Sequence, residues 1–265
     1  MSFTVDKKIV WNAVIAAQDF GYDHLLDKPY FELDVATGPR GRLGDHSFLR
    51  QSAEKLEGEE LFKSGGHSLV QLVTYSGHTP FVIPDSLKTV TFDEAYPERL
   101  RNYMTVANYT DRAIGAFLDR ISANPKFART MVVITGDHEG LGIDRDKMVA
   151  DPRVAAFVSA EQFVPFLVLN SPVTGRYDGV VGQVDFYPTM LHLLGLRDYP
   201  WRGLGRDILD PGRRPFAVMP SGRAVGMPAD SIPEAALRHA RDAFSIADII
   251  ISTDYFKHSS ADERQ

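Results

Sequence analysis

The run Met131-Val132-Val133-Ile134-Thr135 constrains this chain more than any other segment. It is apolar without alternation, the pattern of a strand buried within an α/β sheet. Before it, Leu100, Met104, Ala107, Ile114, Phe117, Leu118 and Ile121 recur with a period of about 3.6 residues. Asn124-Pro125 closes that segment. The spacing predicts a helix over 96–122 and a strand over 131–135, joined as a crossover helix feeding a sheet strand. Such alternation defines an α/β fold with a largely parallel or mixed sheet flanked by helices.

Other segments fit that reading. Residues 8–20 read as a first helix, ended by Gly21. Residues 22–50 read as irregular, and 52–61 as a charged surface helix. Strands are expected at 69–75, 166–169 and 216–219. Phe186–Leu194 reads as a helix, with Asp185 as its cap and Gly195 as its stop. Ser231-Ile232-Pro233-Glu234 has the form of a capping box that starts a helix reaching Phe244. A second start follows at Ser245. No internal repeat and no domain boundary stands out, so 1–258 reads as one domain and 259–265 as a polar tail.

Composition narrows the function. A net charge of -6 supplies no basic field for nucleic acid, and no Arg/Lys cluster is interleaved with aromatics. Arg40-Gly41-Arg42-Leu43-Gly44-Asp45 is too short to track a phosphate backbone. The absence of Cys removes disulfides, thiol catalysis and Cys-ligated zinc. No run approaches the roughly 18–20 apolar residues of a membrane span. No signal peptide is legible at the start.

The strand at 131–135 runs into Gly136-Asp137-His138. Open α/β sheets bind ligands at the carboxyl ends of their strands, where the chain turns. An Asp oxygen and a His nitrogen together suit zinc or manganese. Gly136 permits close backbone approach, and Gly140 a tight exit. The alternative is a turn-capping Asp137 beside a surface His138. Two ligands do not close a site, since about three or four protein ligands are usual. His78 also follows a strand, in Ser76-Gly77-His78-Thr79-Pro80. It reads either as a group that binds an oxyanion or protonates a leaving group, or as a loop histidine held by Thr79 or the backbone. His192 reads as structural or partly exposed.

Several segments, in a shared order, resemble the carboxyl-terminal part of the sulfatase-like domain of lipoteichoic acid synthases, within the alkaline phosphatase superfamily. They are 5–28, with its Trp11-Asn12 helix and Gly21-Tyr22 turn, then 69–81, 103–121, 132–141, 182–196, 202–209 and 244–256. The resemblance implies an incomplete domain of that superfamily. Members transfer or hydrolyse phosphate- or sulfate-linked groups at divalent metals, with a covalent threonine or serine intermediate. By resemblance, Asp137 and His138 are metal ligands for manganese or zinc, His78 faces the substrate, and Asp6 and Trp11 recognise a headgroup. Thr4 and Ala13 stand where the family carries His and Arg, which weighs against glycerol-phosphate chemistry in particular.

The family's nucleophile and acidic ligand normally precede the Trp-Asn helix, and that segment is not found here. Thr4 matches a substrate-side position and not the nucleophile. The isolated chain is therefore expected to be inactive. Expected partners are a phosphate- or sulfate-ester small molecule or lipid headgroup, and a missing N-terminal half or a second copy. The resemblance also implies an extracytoplasmic or membrane-associated setting. Two other functions compete. One is a non-catalytic binding or interaction protein on a reduced scaffold. The other is a rebuilt metalloenzyme drawing ligands from Asp45, His46 or Asp185, whose contexts read better as loop polarity and helix capping.

Overall fold

A computed structural model of the chain describes residues 1–38, 40–58, 66–142, 145–159, 161, 163–201 and 203–255. The chain divides into two compact units, Met1–Asn170 and Ser171–Gln265. The boundary falls in Asn170-Ser171-Pro172, too short a loop to stand out in composition. The expected tail at 259–265 lies outside the described residues.

The first unit carries β1 (Ser2–Thr4), α1 (Ala13–Asp19), β2 (Leu25–Leu26), β3 (Ala36–Thr37), β4 (Arg42–Leu43) and α2 (Asp45–Glu57). It continues with β5 (Gln71–Val73), α3 (Glu98–Ser122), β6 (Val132–Thr135), α4 (Arg145–Val149), α5 (Pro152–Ala155) and β7 (Phe166–Leu169). β1 lies at the centre of a parallel sheet, between β2 and β5. β3 pairs antiparallel with β4, and β6 with β7, Val132 facing Leu169 and Thr135 facing Phe166. The fold is thus α/β with both parallel and antiparallel pairing. The strands after and before α3 do not share a sheet, so the expected crossover is not formed: β6 pairs only with β7 among the described residues.

α3 has the apolar face its periodicity predicts. Ala113 and Ile121 are buried with Phe3, Leu26, Phe48, Leu49 and Phe127, and Ile114, Phe117 and Leu118 pack at the edge of that core. α2 lies against α3. It begins seven residues before the expected Ser52 because its buried face is partly polar: Asp45, Ser47, Gln51 and Ser52 are inside alongside Phe48, Leu49 and Leu56. A mixed face of that kind gives little hydrophobic contrast. β1 was not anticipated, since three residues at a chain start carry no period.

Both predicted glycine stops form the same helix ending. Gly21 (φ 72°) and Gly195 (φ 75°) adopt left-handed backbone. Tyr22 N–H donates to Ala17 O and Gly21 N–H to Gln18 O, and Leu196 and Gly195 repeat the pattern onto Leu191 and His192. These paired bonds satisfy the last carbonyls of each helix. The first helix itself is shorter than expected. Trp11 (φ 56°) and Asn12 (φ 54°) are left-handed, which interrupts the helical turn at 10–12 before α1 begins.

The second unit holds α6 (Phe186–Leu193), the hairpin β8 (Ala217–Val218) and β9 (Ala224–Val225), and α7 (Glu234–Ser252). Phe216, Ile232 and Leu237 form its core. α7 is one continuous helix where two were expected, because nothing at Ser245 breaks it: its Oγ donates back to Asp242 O from within the helix. No capping box forms at Ser231, whose Oγ donates to Pro228 O while Pro233 occupies the cap position. Among the described residues no helix is long and apolar enough to cross a membrane.

The α2–α3 packing is flanked by a fork. Arg120 Nε and Nη2 donate to the two carboxylate oxygens of Glu57 at 2.7 and 2.6 Å, and Nη1 reaches Glu54 at 3.2 Å. The Arg120 hydrogen bond holds Glu57 below the usual carboxylate range. A depressed carboxylate stabilises the fold above its unfolded pKa and ceases to do so as pH falls through its folded value. Arg120→Ala is therefore expected to cost about 1 kcal/mol near neutrality, discounted for partial exposure. The difference from the parent in urea melts should shrink as pH falls through the depressed folded value of Glu57.

Candidate functional site

β6 ends at Thr135, and the turn that follows presents the Asp-His pair. Gly136 is tightly placed there: a Cβ on it would lie 3.0 Å from Val164 Cγ1. His138 N–H donates to Asp137 Oδ1 at 2.9 Å, which folds the two side chains to one side. Asp137 Oδ2 then stands 3.7 Å from His138 Nε2. Two ligands of one ion, each at roughly 2.0–2.2 Å, are separated by about that span. His138 Nδ1 lies 2.8 Å from Glu139 O. A carbonyl only accepts, so Nδ1 carries the proton and Nε2 presents a lone pair in the neutral ring. A backbone carbonyl is a usual orienting partner for a metal-binding His.

The pair is open to solvent, with Asp137 and His138 side chains 88% and 70% exposed. Glu139 is not available as a third ligand. Its carboxylate accepts Leu141 N–H and Gly142 N–H at 2.9 Å and faces Arg145 at 3.3 Å. Among the described residues no group of three His, Asp or Glu side chains gathers in a metal-binding arrangement. The donor types and tautomer fit a zinc- or manganese-like ion, and the ligand count among these residues does not complete its shell.

His78 lies on the exposed turn after β5 with the same chemistry. Its Nδ1 lies 2.9 Å from Thr79 O, so Nε2 faces outward as the acceptor. Its ring stacks on Tyr75 at 5.2 Å with 9° between planes. The Arg42 guanidinium lies 4.0 Å from the Tyr75 centroid, and Arg42 Nε donates to Asp6 Oδ1 at 2.5 Å. Asp6 is thereby joined to His78 through two side chains the sequence reading left out. Arg99, from the first turn of α3, donates to Thr79 Oγ1 at 3.2 Å and lies over the Phe81 ring at 4.9 Å. A second guanidinium thus sits beside the turn.

Trp11 is 82% exposed, held outward by its left-handed backbone, and so does not serve as a core anchor. Thr4 Oγ1 accepts Asp6 N–H at 3.3 Å, within the turn that leaves β1. The proposed extra ligands are committed elsewhere. Asp45 is fully buried and accepts from Tyr75 N–H, Ser76 N–H and Thr110 Oγ1. The Asp185 side chain does not cap α6. It accepts Gly182 N–H and Arg206 N–H and pairs with Arg213 at 2.6 Å, both side chains buried. His46 is exposed. His192 is partly buried and pairs with Asp207 at 2.6 Å, as a structural histidine should.

The two histidine turns share a wall. The Tyr103 ring, on α3, packs edge-on to Phe81 at 5.2 Å. A Cβ on Gly140 would come within 2.4 Å of Tyr103 Cε2. Burial, and then the Glu139 charge, push the Tyr103 phenol above its ordinary pKa, so it stays neutral. Sequence offered only one sign of this contact, the glycine two residues after His138.

Solved structures share this fold. Over 95% of its length the chain is similar in fold to the lipoteichoic acid synthase LtaP from Listeria monocytogenes, at TM-score 0.79 and 20% identity, matching 69% of that chain. It is also similar to a Vibrio parahaemolyticus protein in the alkaline phosphatase superfamily, at TM-score 0.64 and 18% identity over 95% of this chain and 65% of that one. The chain belongs to the Sulfatase family, whose model matches residues 10–196. It is 28% identical to the lipoteichoic acid synthase-like YvgJ of Bacillus subtilis, over 84% of this chain and 37% of that protein. It is 24% identical to the lipoteichoic acid synthase of Staphylococcus aureus, over 82% and 34%. The chain thus spans about a third of the curated relatives it matches.

Gly140→Ala is expected to drive the new methyl into Tyr103 and to cost about 1–3 kcal/mol, as overpacking does. Thermal melts should show it, together with chemical-shift changes in both the 136–142 and 75–81 turns. Changes confined to the first turn would show that Tyr103 does not couple them.

Proposed function

We propose that this chain supplies the downstream wall of a divalent-metal site acting on phosphate or sulfate esters. The observation that carries the reading is the Asp137 Oδ2–His138 Nε2 pair at a strand end, 3.7 Å apart, with the imidazole tautomer fixed for Nε2 ligation. Manganese or zinc would be held by these two atoms. A bound divalent ion would neutralise oxyanion charge and acidify the attacking group.

The chain's own residues have separate tasks. His78 Nε2 faces the ester, where it would take the proton of the attacking hydroxyl or water and could then return that proton to the leaving oxygen. Arg99 adds positive charge beside that turn. Asp6 acts through Arg42, which it orients, and Trp11 offers an exposed apolar face to a headgroup. The names of the relatives support a phosphate-linked lipid headgroup as the substrate class, and an extracytoplasmic or membrane-associated setting.

The nucleophile, a threonine or serine, and the remaining ligand come from a polypeptide segment outside the described residues. Two observations support this. The Asp-His pair gathers no third ligand among those residues. Val73, Val133 and Leu167 also leave apolar surface exposed on β5, β6 and β7, surface that a further packed element would cover. The exposure of the pair also favours a second reading, a binding protein on the same scaffold that performs no chemistry.

Calorimetry with manganese and zinc separates these. One ion per chain is expected, lost in Asp137→Ala and in His138→Ala. Binding that persists in both variants would sink the metal reading, and none in the parent would make the pair an orphaned half-site that binds only once the remaining ligand is supplied. The isolated chain is expected to turn over neither a nitrophenyl phosphodiester nor a nitrophenyl sulfate. Metal-dependent hydrolysis abolished by both substitutions would overturn the divided-site reading and leave the metal reading standing. The exposed strand surface predicts concentration-dependent self-association, to be read by size-exclusion chromatography with light scattering. A monodisperse monomer at high concentration would count against an uncovered apolar face.

A further inference from the structure

We infer that Asp45 is the positioning residue for the His78 turn. It rests on the reading that His78 faces the ester. Asp45 opens α2, and its carboxylate is wholly buried. Oδ1 accepts Tyr75 N–H at 2.9 Å and Ser76 N–H at 2.8 Å. Oδ2 accepts the Thr110 hydroxyl at 2.7 Å. In return Asp45 N–H donates to Ser76 Oγ at 3.0 Å, and Ser76 Oγ meets Thr37 Oγ1 at 2.9 Å. Thr37 and Ser76 are buried as well. Three elements distant in sequence therefore close on one carboxylate.

The carboxylate is placed to tolerate burial. It lies in the first turn of a 13-residue helix, where the amide dipoles favour negative charge. Its acceptor sites are filled by three donors, so burial leaves neither oxygen orphaned. Gly44 makes the approach possible, since a Cβ there would meet Tyr109 Oη at 2.6 Å and Thr37 Cγ2 at 2.8 Å.

The grip falls on the first residues of the turn. Tyr75 O accepts His78 N–H at 3.0 Å, and His78 O accepts Phe81 N–H at 3.1 Å. The Tyr75 ring is also the surface on which the His78 ring stacks. Fixing the amides of 75 and 76 fixes both the backbone that carries His78 and the ring that orients it. Releasing them frees the imidazole to leave Thr79 O and exchange its proton between the two nitrogens.

The test needs neither metal nor ester, so its failure is distinct from failure of the metal reading. Long-range proton–nitrogen spectra at about pH 8 report the His78 tautomer, and amide exchange reports residues 75 and 76. In the parent chain His78 is expected as the Nδ1–H form. Asp45→Ala should mix in the Nε2–H form and speed exchange at Tyr75 and Ser76 by about tenfold or more, with α3 amides unchanged. Asp45→Asn keeps an acceptor for both amides and should restore the parent tautomer. Parent-like tautomer and exchange in Asp45→Ala, or acceleration spread equally over α3, would overturn the inference. If Asp45→Ala does not fold, Thr110→Val and Ser76→Ala decide. Each should speed exchange at 75 and 76 by a few-fold, and no change in either would equally overturn it.

Discussion

Both histidine turns of this chain depend on one helix. α3 is 25 residues long, and its carboxyl-terminal half is bound into the core by Ala113 and Ile121. Its amino-terminal half is then a rigid wall with different tasks at successive turns. Arg99 holds Thr79, Tyr103 fits between Phe81 and Gly140, and Thr110 reaches Asp45. Turns rich in Gly and Pro have little packing of their own to order them. Their geometry is inherited from a helix whose position is fixed by apolar burial elsewhere, so the core and the site are not separable in this unit.

This division explains what was legible in the sequence. α3 declared itself because its apolar residues follow one period over seven turns, and β6 because its run is apolar throughout. The ends at Gly21 and Gly195 were legible because a left-handed position after a helix selects glycine. α2 was obscured by the residues that make it useful: Asp45, Ser47, Gln51 and Ser52 face inward as polar groups and erase the contrast between faces. Ser245 resembles a cap and so suggests a break in α7, although a serine inside a helix can bond back to a carbonyl instead.

The site shows the same limit at shorter range. Asp137, His138 and their flanking glycines are neighbours in the chain, and their geometry follows from a strand running into a turn. The partners that orient the other candidates are remote. Arg42 lies 36 residues from Asp6, and Asp45 lies 31 residues from Ser76. Both occur in Arg40-Gly41-Arg42-Leu43-Gly44-Asp45, a segment that as sequence offered only a short basic stretch. Asp185 was legible as a polar residue before a helix, yet its carboxylate accepts Gly182 N–H and Arg206 N–H and pairs with the buried Arg213 instead of capping α6. A pattern names the residue type that a position requires, but the choice among nearby donors is made by packing.

The exposure of the Asp-His pair has an energetic meaning that bears on any divided site. Two hydrated ligands incur little desolvation cost, so the turn folds without a cation to balance them. The same hydration weakens every electrostatic effect they exert, since the attraction between charges falls by several-fold from a protein-like to a water-like medium. Orienting Nε2 through Glu139 O supplies direction without strength. Strength requires that water be excluded and the coordination shell be filled, and both would follow from one event, the covering of β6 and its turn. The apolar exposure of Val133 and Leu167 beside the polar pair places those two requirements on the same ribbon. Burial of that ribbon would drive association while raising the effective field of the ligands it carries, so assembly and activation would be a single physical step.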